Sequence, residues 1–413
     1  PPRSTLFPYT TLFRSENSGI EFKRDDIRSE QLAKEIVAFA NLKGGRVLLG
    51  VEDDGTITGL LQTNPQEWVL NIFRDKVFPQ MIPYYEEIKI DSEKKVAVIT
   101  IAQGISKPYV LRHNNREDIY IRMGNRSELA TREQQARLFE SGGLIHVEVL
   151  PIAGTNLESL DLDRIQFYLK SVLHDTMIPA TEDIEGWKKR LYGLGWMAYD
   201  GFGNQVCTIA GLVCFGKNPR HYMRQSGIRF MAFDGLEKTY QAKIDTQLDG
   251  PLVGRYEDKD GIRNLVDDGL IERLANTVYP FITSEGTDVN KEMRRETEFL
   301  YPWEAIREVV INALVHREWT RTTDVEVVCY SDRIEITSPG TLQNSMTIDK
   351  MLAGQRSPRN PLIVDILRDY GYVDARGMGI RNKVVPLMRT RNNAEPKFEL
   401  TEDFLRIVLP KRK

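Results

Sequence analysis

The sequence predicts a mixed α/β chain of the α+β type, and three observations predict it. Apolar residues at helical spacing (Leu32, Ile36, Phe39, Ala40) run into Gly44-Gly45 and then into a short apolar strand over 46–51, and this alternation returns along the chain. A length of 413 residues exceeds what one small core needs, so two or three domains are expected. Hydrophobic content of 41% and charged content of 28% supply ordinary cores and surfaces.

Composition narrows the classes. A net charge of −3 gives no global attraction to nucleic acid, so any such binding has to come from local patches. The three cysteines, Cys207, Cys214 and Cys329, show no metal-site spacing and no disulfide framework, which fits a reducing cytoplasm. No apolar run approaches the roughly 18 residues of a membrane span. Residues 1–15 read PPRSTLFPYTTLFRS, with Thr-Leu-Phe twice. They resemble an in-frame translation of a sequencing adapter, a disordered natural tail being the alternative. Fold reasoning therefore starts at Glu16, and the native N-terminus upstream is expected to be missing.

The first domain is expected over 16–145. A helix over 29–42 takes Ser29 as its cap and stops at Gly44-Gly45. The strand over 46–51 turns through Asp53-Asp54-Gly55 into 56–58. A helix over 65–77, strands over 87–101 and 118–122 and a helix over 131–140 follow, and Ser141-Gly142-Gly143 closes the domain. Residues 146–205 read as a helical connector. Leu160, Ile165, Tyr168, Leu169 and Val172 form one face, and Trp187, Leu191 and Trp196 sit on a second helix. The last domain, 206–413, is expected to contain a strand over 205–216, a strand over 228–233 and a long helix over 261–279. Another helix opens at Tyr301-Pro302-Trp303. A hairpin of 325–330 with 333–337 and a terminal strand over 404–409 complete it.

Chemistry concentrates first around Glu16, Glu21, Lys23 and Asp53. Glu21 and Lys23 are two apart and share a strand face. The turn-forming Asn17-Ser18-Gly19 can return Glu16 to the same side. Asp53 lies just past a strand end. Carboxylates that hold Mg²⁺ or Mn²⁺ beside a lysine are what a metal-dependent nuclease needs. A solvated edge with a structural Glu–Lys pair fits the same spacing. The residues Glu16-x-x-x-x-Glu21-Phe22-Lys23, Ala38-Phe39-Ala40-Asn41 with Gly44-Gly45, and Gly50-Val51-Glu52-Asp53-Asp54-Gly55 resemble, in order, the Schlafen/AlbA-type domain. Tyr120-Ile121-Arg122-Met123-Gly124 resembles its late strand. The resemblance implies a nucleic-acid-binding domain, and in nuclease-active Schlafen members the acidic triad would map to Glu16, Glu21 and Asp53, with Lys23 alongside. Arg112, Arg116, Arg122 and Arg126 supply candidate phosphate contacts; Glu117, Asp118 and Glu128 offset them, and a mixed solvated surface is the alternative.

Gly211 to Asn218 superficially spells a phosphate-binding loop. Its last position is Asn instead of Ser or Thr, and its middle residues are bulky, so a structural strand and turn is expected there and no P-loop motor.

Glu308, Asn312 and His316 fall at successive i, i+4 positions, on one stripe of a helix whose Ile306, Val309, Val310, Ala313 and Leu314 face the core. A binding site or the solvent edge of an amphipathic helix gives this pattern. The segment 301–317 is similar to RecG-related ATP-binding regions, as are 332–340, Ser357-Pro358-Arg359-Asn360-Pro361 and Arg376-Gly377-Met378-Gly379-Ile380. These are divergent members of the GHKL-like ATPase fold, an α/β sandwich shared by gyrase, histidine kinases and MutL. By that resemblance Glu308 would be the water-activating base, Asn312 an Mg²⁺ ligand, and Gly377 and Gly379 would let backbone amides approach phosphate. The adenine-reading Asp-x-Gly of the fold appears here as Ser338-Pro339-Gly340.

The sequence thus describes a cytoplasmic, bacterial-type protein with ATP and nucleic acid (DNA ahead of RNA) as partners, no membrane, and room for a homodimer. The leading reading is a transcriptional regulator. A Schlafen-like nuclease gated by ATP and a pseudo-ATPase dimerisation scaffold are the alternatives.

Overall fold

A computed structural model of the protein describes residues 16–412, apart from 105, 115, 143–145, 290–294, 344–345 and 375–378. The chain folds into two units, one reaching to Ile145 and one starting at His146.

The first unit runs β1 (Ile20–Lys23), α1 (Ser29–Asn41), β2 (Gly45–Leu49), α2 (Pro65–Lys76), β3 (Val77–Phe78), β4 (Tyr84–Lys89), β5 (Lys95–Ile101), β6 (Val110–His113), β7 (Arg116–Asp118), β8 (Tyr120–Met123), β9 (Arg126–Leu129) and α3 (Arg132–Ser141). Its main sheet has the order β1-β2-β5-β4, with β1 parallel to β2 and the other pairs antiparallel. Leu32, Ile36, Phe39 and Ala40 of α1 pack with Val47, Leu49, Ala97 and Ile99 of the sheet. Phe22, Leu48, Val96 and Val98 build a smaller core on the opposite face. The register sets Glu21 opposite Val47 and Lys23 opposite Leu49. Glu21 and Lys23 therefore share the face that α1 covers, at the sheet's edge.

Ser29 is not the cap of α1; it is the first helical residue, Arg28 holds the cap position, and no side chain caps the helix. The other end is tied down more firmly. Asn41 donates to the carbonyls of Tyr109 (2.8 Å) and Tyr120 (2.9 Å) and accepts from the Tyr109 amide (2.7 Å), stitching α1 to two later segments. Gly44 follows at φ +79°, where a β-carbon would come within 2.5 Å of the Ile101 carbonyl, so only glycine fits the turn into β2.

The second unit runs α4 (Leu162–Phe167), α5 (Ile184–Gly193), β10 (Met197–Tyr199), β11 (Gln205–Cys207), α6 (Ile209–Phe215), α7 (Pro219–Tyr222), β12 (Ile228–Ala232), β13 (Ile244–Leu248), β14 (Arg255–Lys259), β15 (Ile262–Asp267), α8 (Leu270–Ile282), β16 (Thr283–Val289), β17 (Arg295–Phe299), α9 (Trp303–His316), β18 (Val325–Cys329), β19 (Arg333–Pro339), α10 (Ile348–Leu352), α11 (Pro361–Asp369), α12 (Val385–Asn392), β20 (Lys397–Leu400) and β21 (Phe404–Pro410). Six strands form one sheet in the order β13-β12-β18-β19-β21-β20, and only β12 and β18 are parallel neighbours. Ile228, Phe230, Val325, Val327, Ile334, Ile336, Ile407 and Leu409 share a core with α9 and α11. Alternate residues such as Arg229, Glu326, Glu335 and Arg406 take the other face. This is the α/β layering that the sequence predicted.

Three sequence expectations come out differently. Residues 205–216 are not one strand: β11 ends at Cys207 and Thr208 caps α6 by accepting from the Gly211 amide (3.2 Å). Every residue of α6 is buried, so the run shows no face from which a helical period could be read. Gly211 packs against the Trp196 carbonyl, where a β-carbon would lie at 2.2 Å; it serves packing. Residues 261–279 divide into strand β15 and helix α8, which begins where the Gly269 amide donates to Glu272 (3.0 Å). The stretch 146–205 shares one hydrophobic core with the rest of its unit, through Ile165, Leu169, Trp187, Leu191 and Trp196.

Glu148 locks the start of this unit. It is fully buried and accepts from the amides of Leu362 (2.8 Å) and Ile363 (3.0 Å) in the first turn of α11. Burial, against those two amide bonds, raises its pKa from the usual 4.5 to about 7. A raised folded-state value means that stability is full below about 4.5 and is lost as pH rises through about 7. The loss is on the order of 3 kcal/mol. Urea titrations from pH 5 to 8 should show that decline, and Glu148→Gln should flatten it.

Candidate functional sites

In the first unit the three sequence-predicted carboxylates converge on one ammonium. Lys23 Nζ lies 2.5 Å from Glu21 Oε1, 3.7 Å from Glu16 Oε1 and 3.9 Å from Asp53 Oδ1. Strand β1 delivers Glu21 and Lys23 together. Glu16 returns because its Oε1 accepts from the Phe22 amide (2.9 Å), and Asp53 hangs from the turn after β2, largely exposed. Burial raises the Glu16 pKa, the Phe22 amide opposing it and Glu21 adding repulsion. Burial works against the Lys23 ammonium, yet Glu21, Glu16 and Glu35 together raise its pKa. Lysine thus holds the centre at which the sequence expected a metal. Among the described residues, no group of three or more His, Cys, Asp or Glu is placed to hold a metal ion.

Arg122 corrects a sequence expectation. Its side chain is 0% exposed, so it is no phosphate contact. Its guanidinium donates to Glu21 and to Glu35 (2.8 Å), and Ser127 Oγ completes the network by donating to Glu35 (2.5 Å). Glu35 was not foreseen, although a signal existed: it sits three residues after Leu32 and four before Phe39, on the buried stripe of α1. Burial raises the Glu35 pKa, with Ser127 opposing. Arg112 is half exposed, paired to Glu117 (2.6 Å) and stacked over Phe78. Arg116 and Arg126 are exposed. Arg126 shares a shallow cavity with Glu21, Lys34, Glu35 and Ser127, so a cation open to solvent borders the acidic network.

In the second unit Glu308, Asn312, His316, Ser338, Gly340 and Gly379 line one cavity of about 200 Å³ between α9, β19 and the segment before α11. Gly377, also expected there, lies outside the described residues. Glu308 is buried; it accepts from Asn312 Nδ2 (3.0 Å) and has Lys383 Nζ at 4.0 Å. His316 is exposed and opens onto the cavity, and the protein packed around it, with Arg359 next, lowers its pKa. Ser338 Oγ donates to the Ala313 carbonyl (2.9 Å), which leaves its lone pairs as the acceptor facing the cavity.

The two described glycines carry more than ligand clearance. A β-carbon on Gly379 would lie 1.7 Å from Glu308 Oε1, and one on Gly340 (φ +104°) 2.6 Å from Glu318 Cβ. Each glycine therefore admits a carboxylate side chain. Glu318 is buried; burial would raise its pKa, but Arg359, Thr320 and Arg321 lower it on balance. Arg359 Nη2 donates to Thr341 (2.6 Å), and Asn360 Nδ2 caps α9 at the carbonyls of Val315 (2.7 Å) and Arg317 (3.0 Å). The Ser-Pro-Arg-Asn-Pro motif thus builds a cavity wall and anchors the helix that carries Glu308.

With this geometry in view, residues 16–131 match the family model described as Schlafen, AlbA_2. Residues 322–409 match the one described as "Putative ATP-dependent DNA helicase recG C-terminal". The chain joins a Schlafen AlbA_2 region to a recG C-terminal-type region. The first is a nucleic-acid-associated domain type, and the second has an ATPase-like fold. Among solved structures, the DIP2311 protein from Corynebacterium diphtheriae is similar over 96% of this chain and 76% of its own, at 18% identity and a TM-score of 0.43. The N-terminal domain of a "Putative ATP-dependent DNA Helicase RecG-related Protein" from Nitrosomonas europaea covers 32% of this chain and 94% of its own, at 21% identity and a TM-score of 0.24. No curated protein matches the chain. No helix among the described residues is long and apolar enough to cross a membrane.

Within the AlbA_2 region, Arg122→Ala strands two buried carboxylates and is expected to cost that unit about 3–5 kcal/mol. Urea unfolding followed by circular dichroism reads the loss. Replacing all three partners, as Glu21→Gln, Glu35→Gln and Arg122→Met together, should recover most of it.

Proposed function

We propose that this chain is a cytoplasmic nucleic-acid-binding regulator of transcription, acting on DNA ahead of RNA, whose recG C-terminal-type region binds ATP. The observation that carries the reading is the convergence of Glu308, Asn312, His316, Ser338, Gly340 and Gly379 on one cavity. These residues come from three separate stretches of sequence, and a shared wall is what one ligand needs. Asn312 gives its amide hydrogens to Glu308, so its carbonyl oxygen is the end left for a hard cation. Glu308 is the general-base candidate, buried and oriented by Asn312. Ser338, as an acceptor, suits an adenine amine. Mg²⁺, when bound with the nucleotide, would supply charge neutralisation for its phosphates.

Calorimetric titration of the full chain with ATP and Mg²⁺ tests this. Saturable binding is expected, weakened about tenfold (about 1.4 kcal/mol) by Asn312→Ala. Glu308→Gln should keep binding and lose turnover. If the folded chain binds no ATP, the dimerisation-scaffold reading replaces this one.

A second reading, a metal-dependent nuclease of DNA or tRNA, is favoured by the approach of Glu16, Glu21 and Asp53 to within 4 Å of Lys23, beside the exposed Arg126. Cleavage of a labelled DNA or tRNA that needs Mg²⁺ or Mn²⁺ and vanishes in Glu21→Ala would establish it. Binding without cleavage leaves the regulator reading in place.

A further inference from the structure

Three exposed aromatic rings gather on the helix–hairpin α5-β10-β11 of the second unit. Tyr192 is 51% exposed, Tyr199 57% and Phe202 93%. The Tyr192 and Tyr199 ring centroids are 5.3 Å apart, and Phe202 stands three residues beyond Tyr199 at the hairpin tip. The scaffold beneath them is held firmly. Trp187, Leu191, Trp196, Met197 and Cys207 are buried in the core, and Gln205 Nε2 donates to the Lys188 carbonyl (2.8 Å), joining hairpin to helix. The tip is closed by its own bonds: Asp200 accepts from the amides of Phe202 (2.8 Å) and Asn204 (2.9 Å) and from Asn204 Nδ2 (3.1 Å). Those bonds turn the one tip carboxylate onto its own backbone and hold Phe202 in solvent. Folding alone gives no reason for that exposure, since burying a phenylalanine is worth about 1.5–3 kcal/mol.

Lysines border the rings. Lys188 and Lys189 precede Tyr192 by four and three positions and so share its helix face. Lys188 pairs with Glu185 (2.8 Å), whereas Lys189 is exposed and makes no ion pair among the described residues. Arg190 turns away to Asp175. Protein–protein interfaces favour aromatic residues but are depleted of lysine. Rings interleaved with ammonium groups fit a polyanion that carries flat faces, and duplexes hide those faces in their stack. We propose that the α5-β10-β11 surface binds single-stranded nucleic acid, with bases stacked on Tyr199 and Phe202 and the backbone phosphates on Lys188 and Lys189. This goes beyond the function proposed above, which assigns ATP and no nucleic-acid contact to the second unit.

The test is fluorescence anisotropy of the full chain with a labelled oligothymidine 15-mer and, separately, a labelled duplex. Wild type is expected to bind the 15-mer. Phe202→Ala and Tyr199→Ala should each weaken that binding about tenfold. Lys189→Gln should lower the dependence of log affinity on log salt by about 0.7. Duplex affinity should not change in any of these surface variants. Unchanged 15-mer affinity in the Tyr199→Ala/Phe202→Ala double variant would overturn the assignment. So would a wild type that binds duplex but not the 15-mer, a result that leaves the proposed function standing. Loss of duplex and 15-mer binding in parallel would mark a structural effect and also sink it. Self-association of wild type that Phe202→Ala abolishes, with 15-mer affinity unchanged, would replace it with a protein interface.

Discussion

A single guanidinium with no access to water organises the first unit. Arg122 draws together the edge strand β1 through Glu21, helix α1 through Glu35 and the β8–β9 hairpin through its own backbone and Ser127. An arginine in that position has to be matched by buried acceptors, because an unpaired buried charge costs several kcal/mol. The match fixes Glu21 in turn. With one oxygen of Glu21 held by Arg122, the other faces Lys23, and the acidic cluster takes its geometry from a residue that never meets solvent.

The second unit solves a similar problem with an amide. Asn360, fully buried, satisfies the carbonyls that end α9, the helix that carries Glu308 and Asn312. The segment leading to Asn360 is also the cavity wall. Position of the polar stripe and shape of the cavity are therefore set by the same few residues.

The parts that could be read from sequence were those in which local pattern and burial agree. Helix α1 showed its stripe, and the strand–turn of β2 showed its glycines. The stripe of Glu308, Asn312 and His316 kept its spacing and reached one cavity. Helix α6 was hidden because burial on every side erases periodicity. Arg122 was misjudged because its fate depends on Glu35, 87 residues earlier, and sequence neighbours that are exposed arginines gave no hint of it. Gly340 and Gly379 were recognised as necessary, but the groups that need the space, Glu318 and Glu308, lie across the fold.

The Glu148 carboxylate ties proton binding to the geometry of α11. That helix also lends Val364 and Arg368 to the cavity wall. A ligand that shifts α11 changes how well two amides solvate Glu148, and hence its proton occupancy near neutral pH. Occupying the cavity in that way takes up or releases a fraction of a proton, and the heat of binding then varies with the ionisation enthalpy of the buffer. Protons become a second, silent ligand of the site, and the cavity reports on them by linkage.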